Sequence, residues 1–385
     1  MKKSLNIMIV TTMPFPSGAA SVNRIISYSK GLVELGLKVT VFSSNIGNTK
    51  YQIIDGIIYK SFQKKSNNKL FGLYYRVISV IKLLYNILIS KEKFNTIILV
   101  SNSLVLIYPL FILCKILGIN FIQEKSEYPF VLKKKSLFGR LYAKFYVSTT
   151  YKLFDGLIIM TNPLYNYFEN KVKRNCKLIV APMTVDVTRF NNINKKNYFG
   201  DYIAYCGDIG GNKDGVRNLI HAFSLVEDKY PELMLLLIGG TKNIADLEQL
   251  KNYSIELKTK RVCFLGQVDR NKIPSLLSNS KLLALARPNS LQSTGGFPTK
   301  LGEYLSTGKP VLVTKVGDIP LYLSDEENAF LVEPDDNNAF ANKIIYILDN
   351  YNFALDIANK GKELTETIFN YKVQAKRLCK YLYSF

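Results

Sequence analysis

One alternation constrains this chain more than any other feature: short apolar, β-branched runs separated by helix-length segments, from one end to the other. Residues 6–11 (NIMIVT), 39–43, 96–100 (TIILV), 120–123, 156–160 and 177–180 read as strands, and 53–62 as a strand or hairpin. Between them 20–35, 69–93, 104–117 and 133–154 read as helices, the first stopping at Gly36 and the third at Gly118. The grammar repeats from residue 202. Strands fall at 202–206, 233–238, 262–265, 281–286 and 311–314. Helices fall at 215–229, 246–257, 273–278, 300–306 and 338–350, and the stretch beyond is helical. Apolar strands each followed by a helix mean parallel sheets covered on both faces. The expected fold is α/β, with two Rossmann-like domains at 1–190 and 201–385. The polar, Asn-rich segment 191–200 (NNINKKNYFG) would join them, and the last helix is free to pack back on the first domain. In open parallel sheets ligands sit beyond the carboxyl ends of the strands, so the expected site is a cleft between two facing domains.

Charge divides the chain at the same place. Of 385 residues, 51 are Lys or Arg and 30 are Asp or Glu. Residues 1–190 hold 27 basic and 8 acidic residues, a balance of +19, and the remainder hold 24 and 22, a balance of +2. Such a split points to an anionic surface or polyanionic partner for the first half alone. Basic residues punctuate two aromatic-rich helical stretches: Lys64, Lys65, Lys69, Arg76 and Lys82 in one, Lys133, Lys134, Lys135, Arg140, Lys144 and Lys152 in the other. Basic amphipathic helices with Phe and Tyr suit an anionic leaflet, so peripheral contact with an anionic membrane surface is expected. No nucleic-acid-binding module is recognisable, and a nucleic-acid partner is not expected.

Other classes are excluded quickly. Residues 1–6 are too short and polar for a secretory front end, and 97–119 is broken by Ser101-Asn102-Ser103, Pro109 and Lys115, so it is not a membrane span. The five Cys form no C-x-x-C pair and His221 is the single His, which leaves no standard zinc spacing. Gly308-Lys309 is followed by Pro310 where a Walker A loop needs Ser or Thr.

Four segments carry possible chemistry. Gly207-Asp-Ile-Gly-Gly-Asn-Lys-Asp-Gly215 lies between a strand and a helix, and its glycines, Asn212 and the cation Lys213 suit a phosphate. In Gly295-Gly296-Phe297-Pro298-Thr299 a glycine loop opens a helix bearing Lys300 and Glu303, a second diphosphate cradle with a carboxylate able to accept from a ribose diol. The small residues of Pro14-Phe-Pro-Ser-Gly18-Ala19 after the first strand leave room for a sugar or phosphate. Pro182-Met-Thr-Val-Asp-Val-Thr-Arg-Phe190 says little by itself. A further segment, Gln123-Glu124-Lys-Ser-Glu127, ends a strand, and Glu124 and Glu127 are candidates for acceptor binding or base work.

Taken together and in this order, these segments resemble the retaining GT-B glycosyltransferases of family 4 (glycosyl transferases group 1), over almost the whole chain. The resemblance implies roles residue by residue. Glu303 matches the second Glu of an E-x7-E motif, which holds the nucleotide ribose. Lys213 matches the lysine on the diphosphate and is counted with Glu124 and Glu127 as catalytic. Gly207, Asn212, Lys300 and the backbone of Gly295 to Thr299 would line the donor sugar and phosphates, Val268 the base, and Gly18 and Ala19 the facing loop. The implied donor is a UDP- or GDP-sugar and the implied acceptor a lipid-linked glycan, in cell-surface polysaccharide biosynthesis such as capsule or lipopolysaccharide. The implied place is the inner face of the plasma membrane. No cofactor and no metal is expected: there is no Asp-x-Asp, and Lys213 and Lys300 would neutralise the leaving diphosphate.

Three departures stand out. Gly295 occupies the place of the first Glu, Asp208 stands where an Arg is usual, and the first half has no His. They leave open a catalytically degenerate sugar-nucleotide-binding homologue. A GT-B sugar-nucleotide epimerase is the other alternative, although the Pro182–Phe190 and Gly296–Val311 patterns fit it poorly.

Overall fold

A computed structural model describes residues 4–13, 15–16, 20–46, 51–63, 69–90, 93–129, 136–191, 193, 198–241 and 243–385. It forms two compact units, Met1–Thr184 with Tyr371–Phe385, and Val185–Asn370. The division falls between Thr184 and Val185. The polar stretch 191–200, expected as the linker, thus belongs to the second unit.

The first unit contains strands β1 (Asn6–Thr11), β2 (Lys38–Ile46), β3 (Tyr51–Ile54), β4 (Ile57–Gln63), β5 (Thr96–Val100), β6 (Asn120–Lys125), β7 (Gly156–Ile159) and β8 (Lys177–Val180). They form one sheet in the order β3-β4-β2-β1-β5-β6-β7-β8. All pairings are parallel except the β3–β4 hairpin, which turns on Asp55-Gly56, both at positive φ, a natural use of an Asp-Gly pair. Its helices are α1 (Ala20–Glu34), α2 (Lys69–Leu88), α3 (Leu104–Leu117), α4 (Leu137–Thr150) and α5 (Asn162–Phe168). Ser136 caps α4 by accepting from the Gly139 N–H, and Thr161 caps α5 through Leu164. The expected helix over 133–154 is therefore shorter, because its cap lies at 136 and a 3-10 turn follows at Tyr151–Leu153.

The second unit holds strands β9 (Tyr202–Cys206), β10 (Met234–Ile238), β11 (Val262–Gly266), β12 (Leu282–Leu285), β13 (Val311–Thr314) and β14 (Phe330–Val332). Its sheet is wholly parallel, in the order β11-β10-β9-β12-β13-β14. Its helices are α6 (Val216–Ser224), α7 (Ile244–Glu256), α8 (Ile273–Ser278), α9 (Leu291–Gly295), α10 (Lys300–Ser306), α11 (Asn337–Asp349) and α12 (Tyr351–Glu366). The two points where the chain enters and leaves this unit lie side by side, with the Val185 N–H donating to the Phe369 carbonyl. The last helix, α13 (Tyr371–Leu382), belongs to the first unit. Leu378, Tyr381 and Leu382 join the apolar cluster of Ile7, Ile9, Leu32 and Val39. Gly31 leaves the space that the Ala375 methyl fills on α1.

Each sheet reverses its strand order once. In the second unit the reversal lies between β9 and β12: β10 and β11 extend one way, β13 and β14 the other. The chain segments leaving β9 and β12 diverge to opposite faces there, opening a crevice at the carboxyl edge of the sheet.

Candidate active site

Two segments leave the sheet at that reversal. Gly207 follows β9 and opens the loop to Gly215, which caps α6 at φ +69°. A Cβ on Gly215 would lie 1.7 Å from the Ala286 carbonyl oxygen. Glycine is therefore required there, because the loop runs directly against the backbone leaving β12. Arg287 follows on that backbone. Its side chain is fully buried, Nη1 donates to the Gly296 carbonyl at 2.8 Å, and Nε stands 3.6 Å from Asp214 Oδ1. The guanidinium thus fixes the Gly-Gly-Phe-Pro loop to the Gly207–Gly215 loop.

Lys300, from the start of α10, completes the join. Its ammonium donates to Asp214 Oδ2 at 2.7 Å and to the Tyr205 hydroxyl at 2.8 Å, and it stands over the Tyr205 ring. It occupies the space a side chain at Gly207 would fill. Tyr205 passes its own hydroxyl hydrogen to the Asp208 carbonyl at 2.6 Å. Burial pushes the Asp214 carboxyl up, but Lys300 and Arg287 outweigh it and hold the group below the usual aspartate range. Lys213 lies next in the loop, half-buried, with its carbonyl accepting from Ser293 Oγ at 3.1 Å. Three cations and one carboxylate therefore meet at the crevice, an excess of positive charge in a partly dry place suited to a diphosphate.

The expected ribose acceptor, Glu303, sits one turn further along α10. Its carboxylate is paired with Arg189, and Arg189 Nη2 also donates to the Arg270 carbonyl at 3.2 Å, beside the segment that carries half-buried Val268. Tyr304 is fully buried and ties α10 to the end of β9, accepting from the Cys206 N–H at 2.7 Å. Burial and then Glu303 push the Cys206 thiol up to about 12, so it stays a thiol and is no nucleophile. Phe297 packs on Tyr322 and Phe369, which anchors the loop from below.

The structure thus brings Gly207, Lys213, Gly295, Gly296, Phe297, Pro298, Thr299, Lys300 and Glu303 to one edge of one sheet. Asn212 is an exposed loop residue. Gly18 and Ala19 lie outside the described residues, as do Lys64, Lys65 and Lys133 to Lys135. Asp208, standing in the place of a cation, closes the loop instead: Oδ1 accepts from the Gly210 N–H at 3.0 Å. Sequence reasoning overlooked Asp214, Arg287, Tyr205 and Arg189. A usable signal existed for two of them: a charge directly after Lys213, and an Arg directly after an apolar strand.

Glu124 and Glu127 lie in the other unit. Glu124, one residue before the end of β6, is almost wholly buried, with Arg24 Nε at 2.8 Å, and Arg24 spends its other nitrogens on the Pro182 and Ala181 carbonyls at 2.8 and 2.6 Å. Burial raises the Glu124 carboxyl above its usual range despite Arg24. Glu127 is exposed in the following turn. Among the described residues no three His, Cys, Asp or Glu side chains are grouped to hold a metal ion.

Residues 188–364 match the family of glycosyl transferases group 1. The group 1 match spans the crevice residues from Arg189 to Glu303. N-acetyl-alpha-D-glucosaminyl L-malate synthase of Bacillus anthracis is 27% identical over 148 residues, 38% of this chain and 36% of that protein. UDP-Gal:alpha-D-GlcNAc-diphosphoundecaprenol alpha-1,3-galactosyltransferase of Escherichia coli is 29% identical over 119 residues, 31% of this chain and 29% of that protein. The chain thus spans about a third of the length of either relative. Sucrose-phosphate synthase from Thermosynechococcus elongatus superposes with a TM-score of 0.75 at 17% identity over 98% of both chains. That likeness shows the fold, which is GT-B.

Proposed function

We propose that this chain is a glycosyltransferase that moves a sugar from a UDP- or GDP-sugar to a lipid-linked glycan, with retention and without a metal. The observation that carries the reading is the Lys300–Asp214–Arg287 cluster on the two glycine loops at the sheet reversal. Lys300 and the neighbouring Lys213 would hold the diphosphate, and the buried Arg287 guanidinium behind them would add its field to stabilise the charge that develops as it leaves. Glu303 would take the ribose hydroxyls and the backbone of Gly296 to Thr299 the donor sugar. As the bond from the anomeric carbon to the phosphate oxygen breaks, the acceptor hydroxyl would attack that carbon on the same face, and the leaving phosphate oxygen would take the hydroxyl's proton. Glu124 is sealed by Arg24, so exposed Glu127 is the better candidate for contact with the acceptor in the first unit. The group 1 match supports the reaction class, and a relative whose name gives UDP-Gal as donor and a diphosphoundecaprenol acceptor supports the substrates. A lipid-linked acceptor for capsule or lipopolysaccharide would place the enzyme at the inner, anionic leaflet. No helix among the described residues is long and apolar enough to cross a membrane, so attachment would be peripheral.

Thermal unfolding with UDP, GDP, ADP, CMP and CDP tests this reading. A nucleotide at about 100 times its dissociation constant adds about 2.7 kcal/mol. One diphosphate should raise the midpoint of the wild type and leave Lys300→Ala and Glu303→Ala unmoved. No response to any of them would count against the donor site itself, and turnover with donor and lipid-linked acceptor separates the enzyme from a degenerate homologue that still binds the nucleotide.

A further inference from the structure

Sheet order decides where the helices of the first unit lie. The β4–α2–β5, β5–α3–β6 and β6–α4–β7 crossovers all step the same way across the sheet, whereas β1–α1–β2 steps the other way. Parallel crossovers are right-handed, so α2, α3 and α4 cover one face and α1 the opposite one. The two faces differ in kind. Among the described residues α1 exposes no large apolar side chain, and α13 packs beside it. On the other face, which α5 shares through the β7–α5–β8 crossover, α2, α3 and α4 bury one stripe in the core and present a second apolar stripe outward: Ile81 and Tyr85 on α2, Ile112 and Ile116 on α3, Phe138 and Leu141 on α4. Phe138 is 83% exposed and Ile116 73%. Single exposed apolar residues are ordinary, but stripes repeated on three neighbouring helices mark an interaction surface.

Charge selects the partner. The sequences of α2, α3 and α4 contain no Asp or Glu, while Lys82, Arg140 and Lys144 stand exposed on them and Lys115 on α3 faces Asp155 at 3.3 Å. A second copy of this face would bring like charges together across a two-fold axis. Nucleic acid would satisfy the cations and leave Phe138 and Ile116 in water. An anionic bilayer takes both, with apolar side chains in the acyl boundary and Lys and Arg at the head groups.

We infer that the α2–α3–α4 face is the membrane-docking plane of this protein, with α3 and α4 inserting Ile112, Ile116, Phe138 and Leu141 into an anionic leaflet. The inference rests on the reading that the enzyme works at a membrane, and it adds which surface meets the lipid, including α3, whose charge alone gave no sign of it.

The test is co-sedimentation of the full chain with phosphatidylcholine vesicles, with and without phosphatidylglycerol, for wild type, Ile112→Ser/Ile116→Ser and Phe138→Ser/Leu141→Ser. Thermal midpoints and nucleoside-diphosphate response are read on the same samples. Wild type should sediment with the phosphatidylglycerol vesicles in a salt-sensitive way. Each double variant should lose about tenfold or more in partitioning, since each exposed side chain carries its own transfer free energy. Midpoints should hold, because the replaced side chains face outward. Variants that bind vesicles like wild type overturn the assignment of the face while membrane attachment stands. Wild type that ignores both vesicles overturns attachment too, and an intact nucleotide response then keeps the donor site. Equal binding to phosphatidylcholine alone overturns the charge argument, and a dimer that disappears in the serine variants identifies a second copy as the occupant.

Discussion

Lys125 offers a measurement that depends on the buried interior of the first unit and on nothing else. It ends β6 at 4% exposure, with Nζ 2.6 Å from Asn102 Oδ1 and the rings of Tyr151 and Phe168 at 5.5 and 5.7 Å. Burial lowers its ammonium from 10.5 to about 8, with Glu124 and Glu127 acting against the shift. In the unfolded chain the group titrates at its ordinary value, so between about pH 8 and about pH 10.5 the unfolded state binds more protons and stability must rise with pH. Below that window the folded protein carries a penalty of about 3 kcal/mol, and above it the penalty is gone. Lys125→Met removes the titration, keeps the volume and sets a thioether against the two rings. It also takes a donor from Asn102, costing about 1 kcal/mol. The variant should be more stable than wild type by about 2 kcal/mol near neutral pH, and the gain should vanish as pH approaches about 10. Denaturant unfolding of both chains by far-UV circular dichroism, read as a difference at each pH, cancels every other titrating group. A difference that stays constant from neutral to alkaline pH would refute the reasoning.

Three further outcomes are expected. Gly215→Ala should lower the stability of the second unit by about 3 kcal/mol or more, since it combines a left-handed backbone with overlap on Ala286; a wild-type midpoint in calorimetry would contradict it. Asp214→Asn removes the counter-ion of half-buried Lys300 and buried Arg287 and should cost about 3 kcal/mol in denaturant unfolding. Because the Asp214 carboxyl lies below its ordinary value of 3.8, that contribution is complete above the ordinary value and fades only as pH falls through the lower, folded one; a variant equally stable at neutral pH would show the pair to be idle. Arg189→Ala frees the Glu303 carboxylate and should tighten nucleoside-diphosphate binding up to about fivefold in titration calorimetry, the scale of a part-exposed ion pair. Weaker binding would make the guanidinium part of the site.

The two glycine loops and the start of α10 were legible because their requirements are local. A glycine against a neighbouring backbone, a lysine at the head of a helix and a glutamate one turn later are all spaced along one stretch of chain. Gly207, Gly296, Lys300 and Glu303 could therefore be read in order. Their partners could not: Asp214 reaches Lys300 across 86 residues and Arg189 reaches Glu303 across 114. The reading of Glu124 as a cleft carboxylate illustrates the same limit. Its position at a strand end was correct, but whether a strand-end side chain faces solvent depends on what packs over it, and Arg24 comes from 100 residues away.

The periodicity was written in the residues: apolar strands that demand cover on both faces, helices between them, and hence two parallel sheets. The basic balance of the first half was likewise plain in the residues. The tertiary structure alone decided which helices share a face, where the strand order reverses and which charges are paired. Those depend on the order of strands in the sheet. Periodicity fixes each strand's two faces but carries no information about its neighbours.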